Sequence, residues 1–330
     1  MTAAPLPLTD SSSYGNFLAP SGVSAQLVAH HSWWLIGVCA LVEIATLALF
    51  FVALLRSRAK QTEPTARVSY LRRPTVWIGV GVTTTVLILT AFVAASFLTD
   101  RALARIEGAE PYTHIEIIAH QWWWEIRYSA WEGGPGFVTA NELHLPAGKS
   151  VSLQLSSPDV IHSLWITEID RKRDIIPGRE QSVQLMAPQP GVFRGRCAEF
   201  CGYQHAHMDI LAIAEPSEKF DRWRAAQASA APTPTGELQL HGAQLFSQAV
   251  CGTCHVVRGS DAPGYSGTAP DLTHVAGRLT LASGLLENTV GNLTAWISDP
   301  QHFKPGAKMT VNQLDPQDLQ ALVAYLESLQ

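Results

Sequence analysis

The sequence predicts a multi-domain protein: an N-terminal two-helix transmembrane hairpin, an all-β domain and a C-terminal all-α domain. Three observations carry this. Two 23-residue runs, Trp33–Leu55 and Val76–Leu98, hold a single ionisable side chain between them, Glu43. From Tyr112 to Glu215, short alternating stretches recur between Gly and Pro punctuation. From Gly236 onward the apolar spacing turns helical. Composition agrees, with 15% charged residues against about 25% in ordinary soluble domains. Mean hydropathy is only +0.08, so a few apolar spans are joined to soluble modules. The net charge of −5 excludes a strongly basic nucleic-acid binder and leaves a cationic partner open.

Residues 1–32 form an N-terminal segment without Lys or Arg, and the hairpin occupies 33–98. Each run of 23 residues reaches roughly 35 Å as a helix, enough for a hydrocarbon core of about 30 Å. Between the runs lie Arg56, Arg58, Lys60, Arg67, Arg72 and Arg73, opposed by Glu63. The positive-inside bias places this loop in the cytoplasm and both termini outside, so residues after about 99 are exported. Hydroxyls of Thr83–Thr85 suit a span because they bond back to helix carbonyls. Glu43 marks either a contact with another membrane subunit or proton route, or a protonated, packed side chain.

The β region covers 99–216, with stretches such as His114–Ile118, Glu142–Leu145 and Val151–Leu155 suiting an antiparallel sandwich or barrel. Residues 217–235 read as a linker, alanine-rich and ending Ala-Ala-Pro-Thr-Pro-Thr. As a flexible coil, the 13 residues Arg224–Gly236 span roughly 20 Å, which permits weak docking at high effective concentration. Residues 236–330 form the helical module, with candidate helices at Leu238–Ala249 and Asp315–Leu329.

Of five cysteines, Cys39 stands apart, while Cys197/Cys201 and Cys251/Cys254 form close pairs that suit metal or cofactor attachment. The first pair lies in Cys197-Ala-Glu199-Phe-Cys201-Gly-Tyr-Gln-His205-Ala-His207-Met208, 35 residues beyond His162. Thiolates, imidazoles and a thioether suit copper or zinc. Two thiolates can bridge two metals and leave one imidazole for each. Structural zinc would not need Met208, and a Cys197–Cys201 disulfide would not need the histidines.

Together with Gln121-Trp122-Trp123-Trp124, Asp159-Val160-Ile161-His162-Ser163 and Ile176-Pro177-Gly178-Arg179, this run resembles subunit II of the haem–copper cytochrome c oxidases, over about residues 30–216. The resemblance implies a cupredoxin fold with a binuclear copper (CuA) centre. Its ligands would be His162, Cys197, Cys201, His205, Met208 and the main-chain carbonyl of Glu199. The Glu199 side chain would reach a magnesium ion shared with subunit I, and His207 would be a surface residue. Trp122 would take up electrons from cytochrome c; the bland reading of the three tryptophans is core packing. Side chains alternate along a strand, so at least one of the three should be exposed. The acidic residue that many relatives carry shortly before Trp77 is absent here.

Cys251-Gly252-Thr253-Cys254-His255 is the c-type haem attachment signature. A thioredoxin-like pair is the rival, but the motif follows a helix on the exported side. With Ala269-Pro270-Asp271-Leu272 and Lys304-Pro305-Gly306-Ala307-Lys308-Met309 beyond it, the module resembles a class I cytochrome c. Cys251 and Cys254 would bind haem c covalently. His255 and Met309 would be the axial ligands, with His274 and His302 as competitors. Relatives have proline where Thr310 follows Met309.

The whole resembles the subunit II–cytochrome c fusion of caa-type oxidases. That implies an electron-relay subunit of a proton-pumping terminal oxidase in a bacterial inner membrane. Its partners would be subunit I, which holds the oxygen-reducing site, other membrane subunits, and a cytochrome c or other periplasmic donor. A CuA subunit of a nitric oxide reductase and a membrane-tethered electron carrier are the alternatives. Quinol oxidases lack the copper ligands found here.

Overall fold

The computed structural model describes residues 18–59, 72–106, 110–248, 251–261, 269–311 and 313–330. Two units result, residues 26–108 and the remainder.

The first unit is built from α1 (Val23–Ala59) and α2 (Arg72–Ile106). Within them Val23–Arg56 and Thr75–Arg105 are long and apolar enough to cross a membrane, with mean hydropathy 2.6 and 2.1. Both helices outrun the expected 33–55 and 76–98. The apolar run marks the hydrocarbon crossing, whereas Ala, Gln, Leu and Arg at the flanks continue the helix. Trp34 meets Phe92 edge-on with ring centroids 4.9 Å apart. Thr85 Oγ1 donates to the Gly81 carbonyl, the back-bond expected of a hydroxyl in such a span. Glu43 is exposed on α1. The basic loop residues Lys60 and Arg67 lie outside the described residues.

The second unit begins with ten strands: β1 (His114–His120), β2 (Trp123–Tyr128), β3 (Phe137–Ala140), β4 (Glu142–Pro146), β5 (Val151–Ser156), β6 (His162–Trp165), β7 (Arg173–Ile175), β8 (Gln181–Leu185), β9 (Gly191–Cys197) and β10 (Asp209–Glu215). They form two five-stranded sheets, ordered β3-β2-β1-β5-β8 and β4-β10-β9-β6-β7. Alternation decides which side chains meet between the sheets. Ile115, Ile117, Ile126, Leu153 and Leu155 turn inward and are fully buried, and Trp124 joins them.

Helix α3 (Ser217–Ala228) follows, where the sequence reading placed the start of a linker. Alanine is the best helix former, so an alanine-rich stretch does not by itself mark a coil. Phe220 and Trp223, one turn apart, anchor α3 to the strands. Phe220 is fully buried, and Trp223 stacks on His144 at 3.8 Å. Only residues 229–236 remain as connection, and these too are held: the Ala231 amide donates to the Arg258 carbonyl at 2.8 Å.

The C-terminal module contains α4 (Glu237–Gln248), α5 (Cys251–Cys254), a hairpin of β11 (Thr280–Leu281) and β12 (Leu286–Glu287), α6 (Val290–Ser298), α7 (Pro300–Phe303) and α8 (Pro316–Ser328). The candidate helices at 238–249 and 315–329 correspond to α4 and α8, apart from Ala249, which is outside the described residues. Helices α4 and α8 cross at Gly242, where any Cβ would fall 2.0 Å from the Ala321 carbonyl oxygen. Only glycine permits that approach. Phe246 and Tyr325 pack beside the crossing, 5.8 Å between centroids.

Candidate functional site

Sheet pairing closes the 35-residue gap between His162 and Cys197. Strand β6 runs antiparallel to β9 with Leu164 opposite Cys197, so His162 opens onto the end of β9. The loop to β10 then turns back and delivers Cys201, His205 and Met208 to the same place. Cys197 Sγ lies 3.7 Å from His162 Nδ1, 3.7 Å from Cys201 Sγ and 3.2 Å from the Glu199 carbonyl oxygen. Cys201 Sγ lies 3.6 Å from His205 Nδ1 and 3.9 Å from Met208 Sδ. His162, Cys197 and Cys201 are buried with their donor atoms within 4.8 Å of one another, and His205, Met208 and the Glu199 carbonyl adjoin the two sulfurs.

Asp159 orients this cluster. Its carboxylate accepts from His162 Nε2 at 2.9 Å, which leaves Nδ1 facing the sulfurs. The same carboxylate accepts from the amides of Gln121 and Val160. Burial works to raise the Asp159 carboxyl, but these hydrogen bonds outweigh it and hold the group well below the usual carboxylate range. The Cys201 thiol, turned toward Cys197, is the largest influence holding the Cys197 thiol low, and His162 adds to it against burial.

In the C-terminal module, Cys251 and Cys254 sit one helical turn apart with free thiols. His255 Nδ1 donates to the Pro270 carbonyl at 2.8 Å. That bond fixes the tautomer and presents the Nε2 lone pair. Gln301 braces the Met309 segment: its amide nitrogen donates to the carbonyls of Ala307 at 2.8 Å and Met309 at 2.7 Å. The rival His274 has its ring nitrogens against the carbonyls of Gln330 and Ser229, and His302 is exposed beside Phe303.

Residues 136–214 match the family "Cytochrome C oxidase subunit II, periplasmic domain", and residues 240–330 match "Cytochrome c". A cytochrome c oxidase subunit 2 of Alkalihalophilus pseudofirmus is 33% identical over 318 residues, covering 94% of this chain and 90% of the relative. The chain belongs to the cytochrome c oxidase subunit 2 family. It is therefore a subunit of an oxidoreductase. A further member from Bacillus sp. (strain PS3) is 34% identical over 65% of this chain and 62% of its own length. The periplasmic domain of subunit II of cytochrome oxidase from Bradyrhizobium japonicum is similar in structure with TM-score 0.33 and 27% identity, covering 36% of this chain and 95% of that one.

The subunit 2 family implies a CuA centre in the cupredoxin-like domain, and the cytochrome c match implies haem. The residues fit both. Sulfurs 3.7 Å apart are far beyond the 2.05 Å or so of a disulfide, yet within the span of a shared metal with metal–sulfur bonds of about 2.3 Å. Thiolates with imidazoles and a thioether select copper over harder metals. Partnership with subunit I and membrane anchoring follow from membership and from the two apolar helices.

Two parts of the site went unread in the sequence. Asp159 was quoted only as part of a motif, although its i, i+3 spacing to His162 was a usable signal. The second part is the module that packs over Trp122. Trp122 is half-buried, as is Trp123, and Trp124 is fully buried, so the expected exposed tryptophan is not found. The subunit's own C-terminal module covers Trp122. Lys304 Nζ donates to the Trp122 carbonyl at 2.7 Å and Ser283 Oγ to the same oxygen at 3.2 Å. The contact extends along β3 and β4. Glu142 accepts from the amides of Leu279 and Thr280 at 2.7 and 3.0 Å, and Arg258 donates to the Val138 carbonyl at 3.1 Å. Weak docking on a flexible tether gives way to a specific, buried interface. His207 is exposed, as expected, and its ring meets Gln204 at 2.7 Å. The Glu199 carboxylate pairs with Lys172 at 3.0 Å.

Proposed function

We propose that this chain is the electron-relay subunit of a proton-pumping terminal oxidase, passing electrons from a cytochrome c-type donor toward subunit I, where oxygen is reduced to water. Copper and haem iron supply reversible one-electron chemistry when bound; the residues of this chain hold, space and insulate them. His162, Cys197, Cys201, His205 and Met208, with the Glu199 carbonyl, are the residues that hold two coppers. Cys251 and Cys254 would attach haem c through thioethers, and His255 and Met309 would hold its iron. Histidine–methionine ligation raises the potential of a haem, which suits a donor to copper.

The observation that carries the reading is the position of Trp122. Its indole Nε1 donates to the Cys201 carbonyl at 3.0 Å, and its own carbonyl receives Lys304 from the C-terminal module. One residue thus bonds to a copper-ligand main chain on one side and to the haem-bearing module on the other. The Glu199 carboxylate pairs with Lys172, and a magnesium shared with subunit I would take the lysine's place. Both apolar helices span the bacterial inner membrane, with the basic loop in the cytoplasm and both modules outside.

Purification of the intact complex tests this. The expected result is two coppers and one covalent haem in this chain, with oxygen uptake and little turnover of nitric oxide. Zinc in place of copper, or nitric oxide as the preferred substrate, would overturn it.

A further inference from the structure

Lys304 is 4% exposed, unusual for a side chain whose charge is expensive to bury. Its Nζ donates to two main-chain carbonyls, Trp122 of the copper module at 2.7 Å and Ala282 of the C-terminal module at 3.1 Å. The acceptor in its own module is the tip of the β11–β12 hairpin, where Ala282 and Ser283 hold φ of 53° and 63°. L-residues adopt this left-handed conformation at a cost, and the tip sits where partners meet it. The single Ser283 hydroxyl proton is shared between Asn141 Oδ1 at 2.9 Å and the Trp122 carbonyl at 3.2 Å, and the Asp209 amide donates to the Ser283 carbonyl at 3.0 Å. On the other side of Lys304 its loop runs over the copper module. Gln204 Nε2 donates to the Pro305 carbonyl at 2.6 Å, and a Cβ on Gly306 would lie 3.9 Å from the Trp122 ring. The segment that ends in Met309 is therefore pressed against Trp122 and pinned by Lys304.

We propose that Lys304 is a positioning residue: it clamps the hairpin tip and the Lys304–Met309 loop onto Trp122, and so sets the rate of electron transfer between the modules. The inference rests on the relay reading above. It also means that Trp122 is closed to external donors, which must deliver to the C-terminal module.

The test uses the purified complex, with the haem reduced by a light flash and copper reduction followed optically. Lys304→Met should slow haem-to-copper transfer at least about tenfold with both absorption spectra as in the parent. Amide exchange at Asp209 and across the hairpin should rise, and added reduced cytochrome c should begin to reduce copper directly. Where Lys304→Met does not accumulate, Ser283→Ala removes the second donor to the Trp122 carbonyl and should slow transfer with unchanged spectra. Parent-like transfer with parent-like amide exchange in either variant overturns the clamp. Absence of transfer in the parent would instead overturn the relay reading itself.

Discussion

The indole nitrogen of Trp122 donates to the main-chain carbonyl of Cys201 at 3.0 Å. Gly202 makes this approach possible, since a Cβ there would fall 3.2 Å from the same ring and its φ of +112° is one that L side chains rarely adopt. An aromatic side chain is thereby bonded to the chain segment that carries Cys197, Cys201, His205 and Met208, four of the candidate copper donors. Trp122→Ala should slow haem-to-copper transfer by about 10–100-fold while leaving the copper absorption bands in place. Flash reduction with optical detection checks it; transfer at the parent rate would show that the ring only packs.

Asp159 holds His162 through Nε2 at 2.9 Å, the role of an outer carboxylate that orients a metal-ligating imidazole. Removing such a partner typically costs about 10–100-fold in metal affinity. Asp159→Ala should therefore weaken copper binding by that amount, and Asp159→Asn by less, because its amide oxygen can still accept. Competition titration of the exported fragment against a copper chelator measures both. Equal affinities for all three proteins would remove Asp159 from the site.

Phe220 is fully buried under α3, in a stretch whose composition suggests a coil. Phe220→Ala should destabilise the exported fragment by roughly 3–5 kcal/mol, the usual cost of such a cavity. Chemical denaturation followed by tryptophan fluorescence reads this, and a loss near zero would return residues 217–228 to the linker.

Burial holds the Lys304 ammonium down to about 7 from its ordinary 10.5, against the pull of Asp209 and Cys201. Asp209 is itself faced by Arg194, Arg196 and His207. With the modules apart, the lysine keeps its ordinary value and binds more protons than when docked. Docking therefore strengthens as pH rises from about 7 toward 10.5 and is independent of this group below that window. The neutral amine still donates to both carbonyls. Amide exchange at the hairpin, corrected for intrinsic rates, should show opening that becomes rarer across the window, and Lys304→Met should flatten the trend. The opposite slope in the parent would contradict the burial argument.

How much was legible in the sequence follows the range of the interactions. Cys197, Cys201, His205 and Met208 lie within 12 residues, so their spacing alone announced a metal-binding loop. His162 stands 35 residues before that loop and reaches it only through the β6–β9 pairing. Helix α3 was missed because alanine-rich composition suits both helix and linker, and only the burial of Phe220 and Trp223 decides between them. The docked interface was illegible. Lys304 meets Trp122 across 182 positions and Leu279 meets Glu142 across 137, and no local pattern encodes such pairs. The exposed tryptophan was expected for the same reason, since alternation along a strand says nothing about a module arriving from elsewhere.

In the proposed relay, electrons pass between two centres held together within one chain. Flash reduction of the haem in the intact complex over a range of protein concentrations, with haem oxidation and copper reduction followed together, tests this. Matched amplitudes and a first-order rate that does not change with concentration are expected. A rate proportional to concentration, or copper reduced while the haem stays reduced, would contradict it.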